Sequence, residues 1–164
     1  MNTHHKPFFP SVSDDASAFA FSEFRDNKWK VHIFNGDKQA LATLENAHRA
    51  VFVNDTQLIY ENSEQELCLY DISNKRHVAL WDDFEGSSFW WELRDKELVY
   101  AKDNLILKCQ ILSSKQCTET SNHDVIAELP APLSGLFSYD KSSGKVVIVN
   151  RTRQEVNIRG AIIK

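Results

Sequence analysis

The sequence predicts an all-β chain of about four successive four-stranded antiparallel meanders, the pattern of β-propeller blades, present as a whole propeller or as a fragment of one. Three observations carry that expectation. First, a motif recurs at fixed spacing: Asp55-Thr-Gln-Leu-Ile-Tyr60 returns forty residues later as Asp95-Lys-Glu-Leu-Val-Tyr100. Second, short β-branched and aromatic runs stand between polar breakers such as Asn35-Gly-Asp37, Asn62-Ser-Glu64 and Ser73-Asn74. Third, no stretch of 11 or more residues carries a 3.6-residue apolar period, so no long helix is expected.

Taken in order, the first meander opens with residues 11–13 and turns at Asp15. It continues through strands over 18–21, 30–34 and 39–44. The second uses 50–53, a turn at Asp55, then 58–60, 66–70 and 77–81. The third uses 89–93, a turn at Asp95, then 98–100, 105–109 and a weakly patterned outer strand over 116–120. The fourth uses 136–139, a turn at Asp140, then 146–149 and 155–158, with no room for an outer strand before Lys164. The expected organisation is a tail over 1–9 and blades near 10–48, 49–84, 85–125 and 126–164. One meander cannot bury both its faces, whereas neighbours stacked on either side can. A β-sandwich or barrel is the alternative, but neither demands a forty-residue repeat. The missing outer strand raises the expectation of a fragment of a larger propeller or of half a ring completed by a second copy, with a self-closed four-blade ring as the rival.

Composition excludes several function classes. The 164 residues are 42% hydrophobic and 26% charged, with a formal net charge of −4. That balance fits one folded domain and lacks the basic face that phosphate neutralisation requires, so no nucleic-acid or membrane contact is expected. No apolar run approaches the 18 residues of a membrane span, and the first residues lack the apolar core of a signal peptide.

Motifs of chemistry are sparse. There is no G-x-S-x-G elbow and no glycine-rich phosphate cradle, so no catalytic residue is assigned and the chain is read as non-enzymatic. His32, His48, His77 and His123 fall in different segments without ligand spacing, so neither a metal nor a cofactor is expected. Phe24-Arg-Asp-Asn-Lys-Trp-Lys30 reads as a solvated hairpin loop. The strongest binding candidate is the aromatic and acidic connection between the second and third blades: Trp81, Asp82, Asp83, Glu85 and Trp90. Alternation places Phe89 and Trp91 on one face and Trp90 on the other, so Trp90 either lines a rim site or packs between blades. Cys109 and Cys117 would lie opposite each other in a hairpin centred on Ser113, where a disulfide and two small buried thiols are both open. The repeated aspartates read as turn formers.

Ser11-Val-Ser-Asp-Asp-Ala-Ser-Ala18-Phe-Ala-Phe resembles the W-S-P-D-G-x-x-I-A-F blade opening of bacterial TolB-like propellers, without its Trp and Pro. Trp29-Lys-Val-His-Ile-Phe34 is similar to the strand that follows it, and Glu66-Leu-Cys-Leu-Tyr-Asp-Ile-Ser73 resembles a stretch of WD-type repeats. The resemblance implies a propeller that binds a protein partner or a small-molecule ligand. Such blades form the C-terminal sensor portion of membrane-bound, CadC-like winged-helix transcriptional regulators, which would place this segment in the periplasm. The alternative is a TolB-like or WD-type interaction scaffold without a sensing role, in which case a cytoplasmic setting is expected.

Overall fold

The computed structural model describes residues 7–81, 84, 91–111, 123–130, 133, 136–151 and 156–162, with the side chains of 150–162 excepted. The described elements are strands, in the order β1 (Phe8–Val12), β2 (Ala18–Arg25), β3 (Lys28–Asn35), β4 (Ala40–Glu45), β5 (Ala47–Phe52), β6 (Gln57–Asn62), β7 (Leu67–Asp71) and β8 (Arg76–Trp81). These are followed by β9 (Trp91–Arg94), β10 (Glu97–Lys102), β11 (Leu105–Gln110), β12 (Asp124–Glu128), β13 (Leu136–Asp140), β14 (Lys145–Arg151) and β15 (Val156–Ile162).

They form three four-stranded sheets, β1–β4, β5–β8 and β9–β12, and one of three strands, β13–β15. Every ladder joins strands adjacent in sequence and runs antiparallel. A sandwich or barrel needs pairing between distant strands or sheet closure; successive local meanders supply neither, so that alternative is excluded.

The turns explain why the chain folds back where it does. Asp26 and Asn27 between β2 and β3, and Asp95 and Lys96 between β9 and β10, all have positive φ. These are two-residue hairpin turns whose twist matches the flanking strands. Asp15 and Asp140 work through their side chains. The Asp15 carboxylate accepts from the Ser17 N–H at 2.8 Å and the Ser13 hydroxyl at 3.0 Å. That of Asp140 accepts from the Ser142 N–H and from the hydroxyls of Ser142 and Ser143. The two repeated tyrosines also hold equivalent places. Tyr60 pairs with His77 at 2.9 Å and Tyr100 with His123 at 3.1 Å, each ring edge-on to its imidazole.

The chain divides into two compact units, Met1–Phe84 and Glu85–Lys164. In the first, Ala18 and Ala20 of β2, Val31 and Ile33 of β3 and Leu44 of β4 pack with Ala50, Phe52, Leu58 and Tyr60 of the second sheet. In the other, Val99, Ala101 and Ile106 pack with Ile126, Tyr139, Val146 and Ile148. β6 and β7 are buried on both faces, as is β10, so their near-continuous apolar runs replace the alternation seen in β2.

Three sequence expectations change. β1 begins at Phe8 and contains Pro10, because an edge strand with a bulge between Phe8 and Ser11 tolerates the missing donor. The outer strand of the third sheet is β12, not residues 116–120, which lie outside the described residues; residues 126–128 therefore close the third meander rather than open the fourth. Lys108 pairs with Asp124, so the connection after β11 is longer than the hairpin expected around Ser113, and Cys117 lies outside the described residues. The fourth sheet has three strands among the described residues, as its spacing predicts.

Candidate functional site

The most conspicuous surface cluster is built around Trp29 at one end of the first sheet. Phe24 and Trp29 are cross-strand partners one step from the Asp26-Asn27 turn. Alternation places them on the same face as the buried pair Ser22 and Val31, so they extend the core face beyond the core. Their ring centroids lie 5.1 Å apart.

Two bulges bring further rings to the indole. A regular strand would send Phe8 and Phe9 to opposite faces. At the β1 bulge Phe9 takes a φ of 48°, a costly conformation for a bulky residue, and both rings reach Trp29, Phe8 edge-on at 5.4 Å and Phe9 at 6.2 Å. The β5 bulge lies between Ala47 and Arg49 and turns His48 edge-on to the indole at 5.9 Å. Arg49 sits 5.9 Å from the Phe9 centroid, within cation–π range.

Electrostatics at the cluster are quiet. Burial pushes the His48 imidazole below the ordinary histidine value, which keeps the neutral form dominant at pH 7. Its Nδ1 lies 3.9 Å from Oε1 of the buried Glu61. Phe8 and Phe24 remain 44% and 47% exposed, and Trp29 is half-buried between them. The arrangement offers stacking faces and one guanidinium, which suits recognition of apolar or planar groups and supplies no nucleophile with an adjacent base. Among the described residues, no three His, Cys, Asp or Glu side chains gather as a metal site.

Of the binding residues singled out from sequence, Trp81 alone is among the described residues. Trp81 ends β8 opposite Leu67, is buried, and meets the buried Phe84 edge-on at 5.0 Å. That burial removes its ring from any surface site. Trp91 is buried as the first residue of β9. Asp82, Asp83, Glu85 and Trp90 lie outside the described residues, as does Cys117. Cys109 is disulfide-bonded, and Cys68 is a buried thiol.

Sequence reading missed the Trp29 cluster because it took residues 24–30 for a solvated loop. The available signal was the Asp26-Asn27 dipeptide with Phe24 and Trp29 placed symmetrically about it, which is a hairpin with a cross-strand aromatic pair.

Away from the rings, charge is concentrated at the turns. Hydrogen bonds from Ser17, and then from Ser13, hold the Asp15 carboxyl down at about 2. Ser143 and Ser142 do the same to Asp140, also at about 2. The Asp15 N–H donates to Asp55 Oδ1 at 2.9 Å, so the corresponding turns of the first two sheets are tied together. In the other unit, Lys141 lies 3.2 Å from the buried Glu97 and 3.9 Å from Asp95.

No family model matches the chain, and no curated protein does. Solved structures do. The β-propeller domain of Cps50 (Swd1) from Myceliophteria thermophila superposes with a TM-score of 0.65 at 13% identity, covering 97% of this chain and 53% of that one. TolB from Acinetobacter baumannii gives 0.60 at 14% identity, over 92% of this chain and 39% of that one. The computationally designed Ika4 protein gives 0.58 at 10% identity, over 99% of this chain and 94% of that one. The chain thus spans about half the length, or less, of the natural propellers named here. At such identities the likeness speaks for the fold alone, and the meanders, the forty-residue repeat and these neighbours together make this an all-β chain of propeller blades similar to those of TolB and WD-type proteins.

Proposed function

We propose that this chain is a non-enzymatic, protein-binding module of propeller blades, and that the Trp29 cluster is its contact surface. One observation carries the reading: an indole half-buried between two exposed phenyl rings, held there by two strand bulges. Clustered exposed aromatics mark interaction surfaces, because rigid rings bury much area at little entropic cost. A fold does not itself dictate a task; the side chains gathered at a site do.

A finer setting follows from the TolB-like opening at Ser11-Val-Ser-Asp-Asp15: the sensor portion of a bacterial, membrane-bound CadC-like regulator. There the bound molecule must favour one of two conformations to signal. The scaffold reading needs no such change and is the one the Trp29 surface supports directly.

Selection of a displayed random-peptide library on the immobilised chain tests the proposal. Peptides sharing an apolar or aromatic motif should be recovered, and Trp29→Ala should weaken their binding by at least about tenfold, as expected for an aromatic anchor. Val125→Ala, at an exposed residue elsewhere, should leave it unchanged. Equal capture by Trp29→Ala would overturn the assignment. A thermal-shift panel separates the two settings: a sensor gains stability with one small-molecule class, a scaffold only with the selected peptides.

A further inference from the structure

Of the six histidines in the sequence, His48 borders the Trp29 surface. The ladder of β5 with β6 steps from the pair Ala47–Asn62 to the pair Arg49–Glu61, and His48 is the extra residue of the bulge between them. An extra residue escapes the alternation of its strand, which is how an imidazole of the second sheet reaches an indole of the first. The rings meet edge-on at 5.9 Å, and the His48 side chain keeps 30% of its surface in contact with solvent.

Few charges face this imidazole. In the first sheet Glu23, Arg25, Lys28 and Lys30 alternate with Phe24 and Trp29, so they lie on the other face. There Glu23 meets His32 at 2.9 Å, Lys30 meets Glu45 at 2.8 Å and Arg25 meets Asp26 at 3.6 Å. Among the described residues that leaves two charged groups beside His48. Glu61 of β6 has its Oε1 3.9 Å from Nδ1, and Arg49 follows His48 in β5 as the cross-strand partner of Glu61. One is an anion and the other a cation, so their fields offset each other and contact with water governs the proton on His48. Loss of water already holds this imidazole below the ordinary 6.5.

We propose that His48 makes the Trp29 surface responsive to pH: its neutral imidazole is a wall on which an uncharged apolar or aromatic group of the partner packs, and protonation in mild acid weakens that contact. The inference rests on the Trp29 reading and names the regulation of that surface. Glu61, Arg49 and the indole face His48 in the free and the occupied chain alike, so their pull on the proton largely cancels between the two states. Water is what the occupant changes, since a ring seated on Trp29 covers the solvent-facing edge of the imidazole and raises the cost of charging it. The occupied chain therefore holds its His48 proton less tightly than the free one. By reciprocity, affinity is full above the free-chain value and declines as pH falls through it.

The test is a binding titration with a library-selected peptide that contains no Asp, Glu or His, so that the protein alone titrates between pH 7.5 and pH 5.5. Wild-type affinity should fall at least about threefold over that range, the effect of a half-unit difference between the two states. His48→Gln cannot take up the proton and should bind with one affinity at both pH values, with circular dichroism unchanged; His48→Phe serves if it does not fold. The other histidines remain in both variants and control for their own titration. Nuclear magnetic resonance of the imidazoles should show His48 titrating below 6.5 in the free chain and lower still with peptide bound. A wild-type affinity that is level or rises in acid overturns the inference and leaves the Trp29 reading standing, as does an equal loss in His48→Gln. Failure to capture any peptide at pH 7.5 removes the Trp29 reading and this inference with it.

Discussion

At the residue scale the aspartates show what a repeated side chain contributes. Asp15 and Asp140 are exposed yet hold their carboxyl groups at about 2, because Ser17 and Ser143 respectively lead the hydroxyl and N–H donors that favour the ionised form. A folded value below the ordinary carboxylate value of 3.8 means the carboxylate contributes stability above that pH. The contribution is lost as pH falls towards 2. Asp140→Asn should therefore melt below the wild type at pH 6, with the gap closing by pH 2, in thermal scans across that range. A gap that stays constant with pH would contradict the linkage. The turn role was legible in sequence because Asp recurs at the head of each repeat. The Trp29 cluster was not, since a bulge redirects side chains and the alternation rule presumes none. Only Pro10 hints at the irregularity that lets Phe8 and Phe9 share one ring.

Elements were read best where apolar runs are strongest. Leu58-Ile-Tyr60 and Leu98-Val-Tyr100 became the cores of β6 and β10, paired with Tyr70-to-Cys68 and with Cys109-to-Leu107 respectively. Outer strands carry the weakest signal because one edge and part of each face meet solvent; β12 shows an exposed Val125 and a single buried Ile126. Its misplacement by several residues follows from that. The longer β11–β12 connection bears on the cysteines. Cys109 is disulfide-bonded and Cys68 is a buried thiol, so of three cysteines we propose Cys117 as the partner, clamping the connection back on β11. A loop this short stabilises by roughly 2–3 kcal/mol through lost unfolded-state entropy. Cys117→Ser should lower the melting temperature accordingly, and peptide mapping without reductant should recover the two cysteines linked. Identical melting with and without reductant would contradict the clamp.

For the whole molecule, the repeat length was the informative quantity. Forty residues suffice for a four-stranded meander with short turns, and three such meanders with a fourth of three strands account for the sheets described. The site was far less legible. Reading large aromatics as surface features favoured Trp81, whereas Trp81 went inside and the hairpin carrying Trp29 presents its rings at the surface. Burial depends on what packs against a strand, which a single chain's alternation leaves open. The proposed contact surface lies at Trp29 and not at the buried tryptophans. Hydroxyl-radical footprinting of the intact chain tests it most directly. Phe8, Phe24 and Trp29 should oxidise readily, with Trp81, Phe84 and Trp91 protected, and a library-selected peptide should suppress oxidation at Trp29. Oxidation of Trp81 as fast as that of Trp29, or a Trp29 that stays unreactive in the free chain, would contradict the claim.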